Sequence, residues 1–219
     1  MRSLVRFALA GAVIISTLPA QSQQVLEERD KWMNRAGRLQ GSGAQSSKGV
    51  GEELDDDPTI SAAAISHEAP SAAKKAAERA ARNASKGQHD KAIAEFQKAL
   101  AIDPQYYEAE NNLALEYRNA GQVDDSIRTL KHLIETAPTR VLAFNNLAAL
   151  YCELKRYGEA EALERQAIRA HPFSFKANLL LATALIRQGR FTPEAKLDLQ
   201  YAEAKYSEAK VMLDGWPAK

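Results

Sequence analysis

The spacing of apolar residues predicts pairs of helices over residues 71–213. One stripe occurs twice at an interval of 34 residues, first as Leu113, Ala114 and Tyr117 and then as Leu147, Ala148 and Tyr151. Spacings of three and four residues place each set on a single helix face. A second helix follows in each unit, as in the stripes Ala92, Phe96, Ala99 and Ala195, Leu199, Ala202. The pattern therefore predicts an all-α fold.

Three residue types share the same 34-residue period. The prolines are Pro70, Pro104, Pro138 and Pro172, the glycines are Gly87, Gly121 and Gly189 with Lys155 in the remaining slot, and the alanines are Ala80, Ala114, Ala148 and Ala182. Each glycine falls between two helices, where a left-handed C-cap is needed. Pro104, Pro138 and Pro172 each follow a second helix, where the chain must turn. A fixed period of this length indicates a repeat architecture.

Residues 107–140 and 141–174 resemble tetratricopeptide (TPR) repeats. In the first unit the matching positions are Leu113, Ala114, Tyr117, Gly121, Leu130, Leu133 and Pro138, while Ser126 replaces the small alanine. In the second unit they are Phe144, Leu147, Ala148, Tyr151, Ala160, Ala167 and Pro172, while Glu164 stands where an aromatic residue or leucine is usual. The resemblance implies a TPR-like superhelix, an α-solenoid of about four helix-turn-helix repeats.

The four repeats are expected at about 73–106, 107–140, 141–174 and 175–213, within a domain over 71–213. The first helix of the first repeat carries Arg79 and Asn83 at positions that are normally apolar. A terminal repeat has one neighbour, so its outer face tolerates polar residues. In the fourth repeat, the stripe from Ala195 to Leu213 predicts a second helix that is longer than usual and caps the array.

Residues 1–22 have the three zones of a secretory signal peptide. Two arginines supply a positive start, residues 7–18 form an apolar run, and small residues follow at Ala20 and Ser22. The apolar run is shorter than the roughly 20 residues that span a bilayer. We therefore expect export to the periplasm or secretion, cleavage near Ala20 or Ser22, and no stable membrane span after cleavage.

Residues 23–70 are expected to form a flexible N-terminal segment and linker. A short helix is compatible with residues 23–39, where Val25, Leu26, Trp32, Met33 and Ala36 fall loosely on one side. Residues 40–57 are rich in glycine and serine and then acidic, with little to bury. The acidic residues lack the ligand spacing of a calcium loop, so they are interpreted as a solvated charge run.

Charge and composition exclude several classes of function. The chain has 29 basic and 28 acidic residues and a formal net charge of +1, which argues against a dedicated nucleic-acid binder. Cys152 is the single cysteine, so no internal disulfide can form. The four histidines do not pair at metal-ligand spacing, and no catalytic or nucleotide-binding motif occurs. We expect no metal, no cofactor and no enzymatic activity.

The TPR resemblance implies a protein–protein interaction module or scaffold. In TPR arrays the first helix of each unit lines a concave groove, and the candidate groove residues here are Glu108, Asn111, Asn112, Leu115, Asn119, Leu142, Asn145, Asn146, Ala149, Glu153, Lys176, Leu179 and Thr183. Asn112 and Asn146 occupy the sixth position of their units, which is often asparagine in the family. An asparagine amide can both donate to and accept from a peptide backbone. An alternative is that these amides bond to neighbouring turns within the array.

The predicted partner is a peptide segment of another protein of the cell envelope. The carboxylate-clamp pattern of cochaperone TPR domains is incomplete, because Leu115, Leu142 and Leu180 occupy places where polar or basic residues are expected. Capture of an acidic chaperone tail is therefore not expected.

Two alternative functions remain open from the sequence. The first is a structural protein that self-associates through its last helix, where Leu197, Tyr201 and Met212 fall outside the capping stripe. The second is an enzyme whose site is assembled from dispersed residues, such as Cys152 with a histidine from a neighbouring repeat.

Overall fold

The computed structural model describes residues 67–217, and these residues form helices joined by short turns. In chain order the helices are α1 (Ser71–Ala84), α2 (His89–Ile102), α3 (Tyr107–Asn119), α4 (Val123–Thr136), α5 (Val141–Glu153), α6 (Tyr157–Ala170), α7 (Phe175–Arg187), α8 (Pro193–Ala202) and α9 (Ser207–Asp214). The first eight helices make four consecutive pairs. They confirm the predicted all-α fold of about four helix-turn-helix units. The predicted signal peptide over 1–22 and nearly all of the 23–70 segment lie outside the described residues.

The turn inside each pair has the left-handed residue that the glycine period predicts. Gly87, Gly121 and Gly189 have φ values of 69°, 77° and 74°, and Lys155 has φ 60° in the equivalent turn. In each turn the next residue donates its N–H to a carbonyl five residues earlier, as from Gln122 to Tyr117 at 2.8 Å. This bond caps the end of the first helix of each pair.

Small residues allow the helix pairs to stack closely. Ala80, Ala114, Ala148 and Ala182 are fully buried, which explains their 34-residue period. At Ser126, which replaces the usual alanine, the hydroxyl donates to the carbonyl of Ala114 at 2.7 Å and is thereby satisfied in the core. Each helix makes its main contacts with helices one or two positions away in the chain.

The expected long last helix is wrong. The chain leaves the helix after Ala202, turns through residues 203–206, and begins α9 at Ser207. The turn returns Ala209 to full burial, in a cluster with Leu199 and residues of α7.

Two of the residues considered for self-association, Tyr201 and Met212, pack within the chain. Tyr201 is buried, stacks on Phe175 with ring centroids 4.5 Å apart, and donates its hydroxyl to the carbonyl of Phe173 at 3.0 Å. Leu197 and Met212 are half-buried. The exposed apolar residue of α9 is Val211, which retains 71% of its accessible surface. None of the helices within residues 67–217 has the length and apolar character required to cross a bilayer.

Candidate functional site

The first helices of neighbouring repeats lie side by side and form one surface, called here the first-helix face. Its members come from α1, α3, α5 and α7. Two contacts join α3 to α5 on this surface. The amide Nδ2 of Asn146 donates to Oδ1 of Asn111 at 2.8 Å, and the guanidinium of Arg118 lies 3.1 Å from Oε1 of Glu153. The structure thus brings two of the candidate residues, Asn111 and Asn146, into contact.

The candidate groove residues divide into buried and accessible sets. Asn111, Asn145 and Leu179 are buried, so most of their surface is already covered by the protein itself. These three residues occupy the same place in successive repeats, at intervals of 34 residues. The accessible or half-buried set is Glu108, Asn112, Leu115, Asn119, Leu142, Asn146, Ala149, Glu153, Lys176 and Thr183.

The two sixth-position asparagines have different environments. Asn146 is half-buried, and its amide donates a hydrogen bond to Asn111. This agrees in part with the alternative that these amides bond within the array. The partner belongs to the adjacent first helix rather than to a turn. Asn112 is exposed, and within residues 67–217 its side chain makes no hydrogen bond. Its donor and acceptor are both available to a ligand.

Charged groups at the margin of the first-helix face are largely paired. Glu108 forms an ion pair with Arg140, whose guanidinium also lies over the ring of Tyr107 at 4.9 Å. Asn119 donates to Oε1 of Glu116 at 3.1 Å. These pairs leave the surface nearly balanced in charge, in agreement with the composition.

Helix α9 forms the end of the first-helix face. The ammonium of Lys176 lies 5.0 Å from the ring centroid of Tyr206, and the hydroxyl of Thr183 lies 3.8 Å from the sulfur of Met212. The Thr183 hydroxyl also donates to the carbonyl of Leu179 at 2.7 Å. Lys176 and Thr183 are therefore partly covered by the protein's own last helix.

A cleft of about 330 Å³ lies at the opposite end of the same face, between α1 and α3. It is lined by Lys74, Ala77, Glu78, Ala81, Phe96, Tyr106, Glu108, Ala109 and Asn112. Sequence reasoning placed Glu108 and Asn112 here but missed the residues of α1. The 34-residue register contained the signal, because Lys74 and Glu78 precede Glu108 and Asn112 by one period.

Comparison with known families identifies the architecture. Three sequence models described as tetratricopeptide repeat match residues 83–151, 141–171 and 160–209. Together they extend without a gap over more than half of the 219 residues. The chain belongs to the tetratricopeptide repeat family. No curated protein sequence gives a match to this TPR protein.

Solved structures with a similar fold match over most of the array. MamA from Desulfovibrio magneticus RS-1, residues 41 to the end, is 15% identical with a TM-score of 0.58, covering 68% of this chain and 85% of MamA. TTC0263, a thermophilic TPR protein in Thermus thermophilus, is 22% identical with a TM-score of 0.56, covering 66% and 81%. A tetratricopeptide repeat protein from Parabacteroides merdae ATCC 43184 is 17% identical with a TM-score of 0.57, covering 65% and 57%. At these identities the similarity is one of fold.

Histidines of the TPR array pair with buried carboxylates. His67 lies 2.7 Å from Asp103, His89 lies 2.8 Å from Glu116, and His132 lies 2.5 Å from Glu110. Each pair joins one histidine to one carboxylate. Among residues 67–217 no three His, Cys, Asp or Glu side chains come together as a metal site would require.

Cys152 has the environment of an unreactive thiol. It is half-buried on α5, and burial, followed by the negative charge of Glu164, raises the pKa of the thiol to about 11. Reactive cysteines have the opposite shift, produced by cationic neighbours or helix N-termini. The fully buried Glu164, at the position where the family usually has an apolar residue, thus acts against ionisation of Cys152.

Proposed function

We propose that this TPR protein is an exported interaction module that binds a peptide segment of another envelope protein along its first-helix face. Its TPR fold is that of a protein–protein interaction module or scaffold. The observation that carries the proposal is the exposed Asn112 amide, which has no hydrogen bond within the described residues and lies on the rim of the cleft between α1 and α3. Such an amide suits recognition of a peptide backbone.

The near balance of charge on the first-helix face supports a peptide partner of modest charge. Glu108 and Glu153 are paired with arginines, so the surface offers amide groups and small apolar side chains rather than a strong field. Binding should therefore weaken only slightly as salt is raised, in contrast to a polyanion site. Leu142 and Leu115 supply apolar contact on either side of the amides.

Binding without catalysis is the accompanying proposal. The raised pKa of Cys152 and the absence of a metal-ligand cluster within residues 67–217 support it. Export rests on the pattern of residues 1–22. Intact mass or N-terminal sequencing of the native protein tests it, with a mature chain expected to begin near Gln21 or Gln23, while full-length protein recovered from cytosol would contradict it.

The binding proposal is tested by capture and a matched pair of variants. Partners are captured from envelope extract, identified by mass spectrometry, and their dissociation constants measured with the purified protein. Asn112→Ala removes an amide from the first-helix face and should cost about 0.5–1.5 kcal/mol, which reaches about tenfold in affinity. Gln166→Ala removes an exposed amide from the second-helix side on α6 and should leave affinity unchanged.

The contrast between these two variants decides the proposal. Equal affinity of the wild type and the folded Asn112→Ala variant would place the binding surface elsewhere, on the second-helix side or on α9. A double change that also replaces Asn146 is less informative for binding, because Asn146 bonds to Asn111 inside the array.

A further inference from the structure

We infer that the outer side of α1 is an electrostatic docking surface for an anionic lipid bilayer. The surface is a line of four basic side chains, called here the α1 basic row: Lys75, Arg79 and Arg82 on α1, and Lys86 in the turn that follows. All four side chains are exposed. The inference goes beyond the proposed peptide binding and does not depend on it.

The four basic residues lie on one side of the helix because they follow each other at spacings of four, three and four residues. Along the helix axis the row extends for about 16 Å, at 1.5 Å per residue. The apolar residues of α1 are all alanines, and Ala73, Ala76 and Ala80 are buried against the array. No side chain of α1 can therefore anchor in hydrocarbon, and the row can hold headgroups by charge alone.

The α1 basic row and the first-helix face lie on different sides of the helix. Lys74, Ala77, Glu78 and Ala81 line the cleft between α1 and α3. With about 100° of rotation per residue, their mean direction lies about a third of a turn from the row, and the buried alanines lie about a third of a turn from both. A peptide on the first-helix face and a lipid surface on the row can thus be bound at the same time.

The row retains a net positive charge after its ion pairs are considered. Within residues 67–217, Lys75 and Lys86 form no ion pair, and the two arginines contact Glu95 at 2.7 Å and Glu78 at 4.0 Å, respectively. Glu95 is shared with the exposed Lys98. The arginines keep 48% and 62% of their side-chain surface accessible, and ion pairs at the surface are weak. All four cations can therefore meet headgroup phosphates.

The row is unfavourable for the helix that carries it. Like charges three and four residues apart repel each other on a helix surface. The first turn of α1 also lacks an acidic residue, which would favour the positive end of the helix dipole and which α2, α3, α4, α6, α8 and α9 all have. The row therefore does not contribute to the stability of α1.

Exposure at the end of the array does not explain a single sign of charge. A terminal helix needs polar side chains on its outer side, but these can be of either sign. At the opposite end, the exposed charges of α9 alternate in sign along the chain, at Glu208, Lys210 and Asp214. Attraction to a negative surface accounts for the difference between the two ends.

A bilayer surface fits the row better than an acidic peptide does. The main contacts of α1 are with α2, so its outer side has no second helix with which to form a groove for a peptide. A plane of headgroup charges can contact a straight line of cations without a groove. Clusters of about 4–8 lysines and arginines are typical of binding to anionic headgroups. Because only charge is involved, the attachment should be weak, reversible and sensitive to salt.

The test is co-sedimentation of the whole chain with vesicles of phosphatidylcholine, with and without phosphatidylglycerol. The measured quantity is the excess of binding to the anionic vesicles, which subtracts any contact made by the apolar run over residues 7–18. Lys75→Glu with Lys86→Glu should lower this excess about tenfold or more, because two attractive charges become repulsive. Lys75→Gln with Lys86→Gln should give a smaller loss. Added salt should abolish the excess in the parent protein.

Lys131→Glu with Lys210→Glu is the matched control, because both residues are exposed helical lysines, on α4 and α9, and the change in net charge is the same. It should leave the excess nearly unchanged. All of these substitutions are at exposed positions, so the array should still fold, as circular dichroism checks.

Three results would overturn the inference. The first is equal binding of the parent protein to neutral and anionic vesicles. The second is an equal loss in the two double glutamate variants, since net charge and not the α1 basic row then determines binding. The third is tighter binding to soluble poly-glutamate than to vesicles at the same concentration of acidic groups, which would assign the row to an acidic protein segment. None of these results alters the affinity difference expected between Asn112→Ala and Gln166→Ala.

Discussion

The amide of Asn146 donates to the side-chain oxygen of Asn111 at 2.8 Å, and this bond joins the first helices of two successive repeats. Asn111 is buried, so its oxygen has lost most of its contact with water. The bond therefore contributes to the stacking of repeats on the first-helix face.

The first prediction separates this structural asparagine from the neighbouring exposed one. Asn146→Ala leaves the Asn111 oxygen without its donor and should lower the free energy of unfolding by about 1–3 kcal/mol. Asn112→Ala removes an exposed amide and should change it by less than about 0.5 kcal/mol. Urea denaturation of both variants measures the difference. Equal stability of the two would show that the bond between helices adds nothing.

The second prediction concerns the left-handed turn at Lys155. A residue with a Cβ atom is strained at φ 60°, and glycine occupies the equivalent place in the other three turns. Lys155→Gly should raise the free energy of unfolding by about 1 kcal/mol, because relief of strain exceeds the entropy that glycine adds to the unfolded chain. Lys155→Ala retains the Cβ atom and should give no gain. A similar gain from alanine would attribute the effect to loss of the lysine side chain instead.

The third prediction compares two leucines of α5. Leu147 is 1% exposed and Leu142 is 44% exposed. Leu147→Asp buries an uncompensated carboxylate between helices and should lower the free energy of unfolding by more than about 3 kcal/mol. Leu142→Asp, the matched control, should be nearly neutral. Thermal unfolding followed by circular dichroism reports both, and a stable Leu147→Asp variant would contradict the stacked-repeat core.

The fourth prediction follows from the raised pKa of Cys152. Because burial favours the neutral thiol, the folded protein holds this proton to about pH 11, against the ordinary value of 9.0. The stabilisation is complete below about pH 9 and is lost as the pH rises from about 9 to about 11. Cys152→Ala should lose less stability than the wild type over this interval, as parallel urea titrations measure.

The same thiol should be alkylated slowly at neutral pH by iodoacetamide, compared with a small exposed thiol. Little of it is thiolate, which is the reacting form. Rapid alkylation of the folded protein would instead indicate a depressed pKa and reopen the possibility of a catalytic cysteine.

The sequence predicts the helix pairs and their turns because their signals are local. Gly121 and Pro138 act on backbone geometry at their own positions, and the turn at Lys155 follows the same period despite its strain. The break in the helix before Ser207 contains no glycine or proline from which it could be predicted. It depends on burial of Ala209 against α7 and α8, which only the assembled array shows.

The candidate site is harder to predict from the sequence than the fold. On each first helix, residues buried against the neighbouring repeat stand next to residues exposed to solvent. Asn111 and Asn112 differ by one residue, yet the first is buried against its neighbours and the second is exposed. The apolar spacing of three and four residues identifies the core face of a helix, but it does not show which of two adjacent asparagines is buried. The contribution of α1 was missed for another reason: Arg79 and Asn83 depart from the family pattern, although Lys74 and Glu78 keep the register of the face.

The restriction of the main helix contacts to near neighbours in the chain determines how the array opens. Contacts between residues close in sequence require little loop closure, so the protein should fold quickly for its length. Helices α1 and α9 each lie at one end of the described array. Each contacts fewer helices than α5 does, so its unfolding breaks fewer contacts. Amide hydrogen exchange should therefore be fastest at the two ends and slowest at the centre, as the array frays inward one repeat at a time.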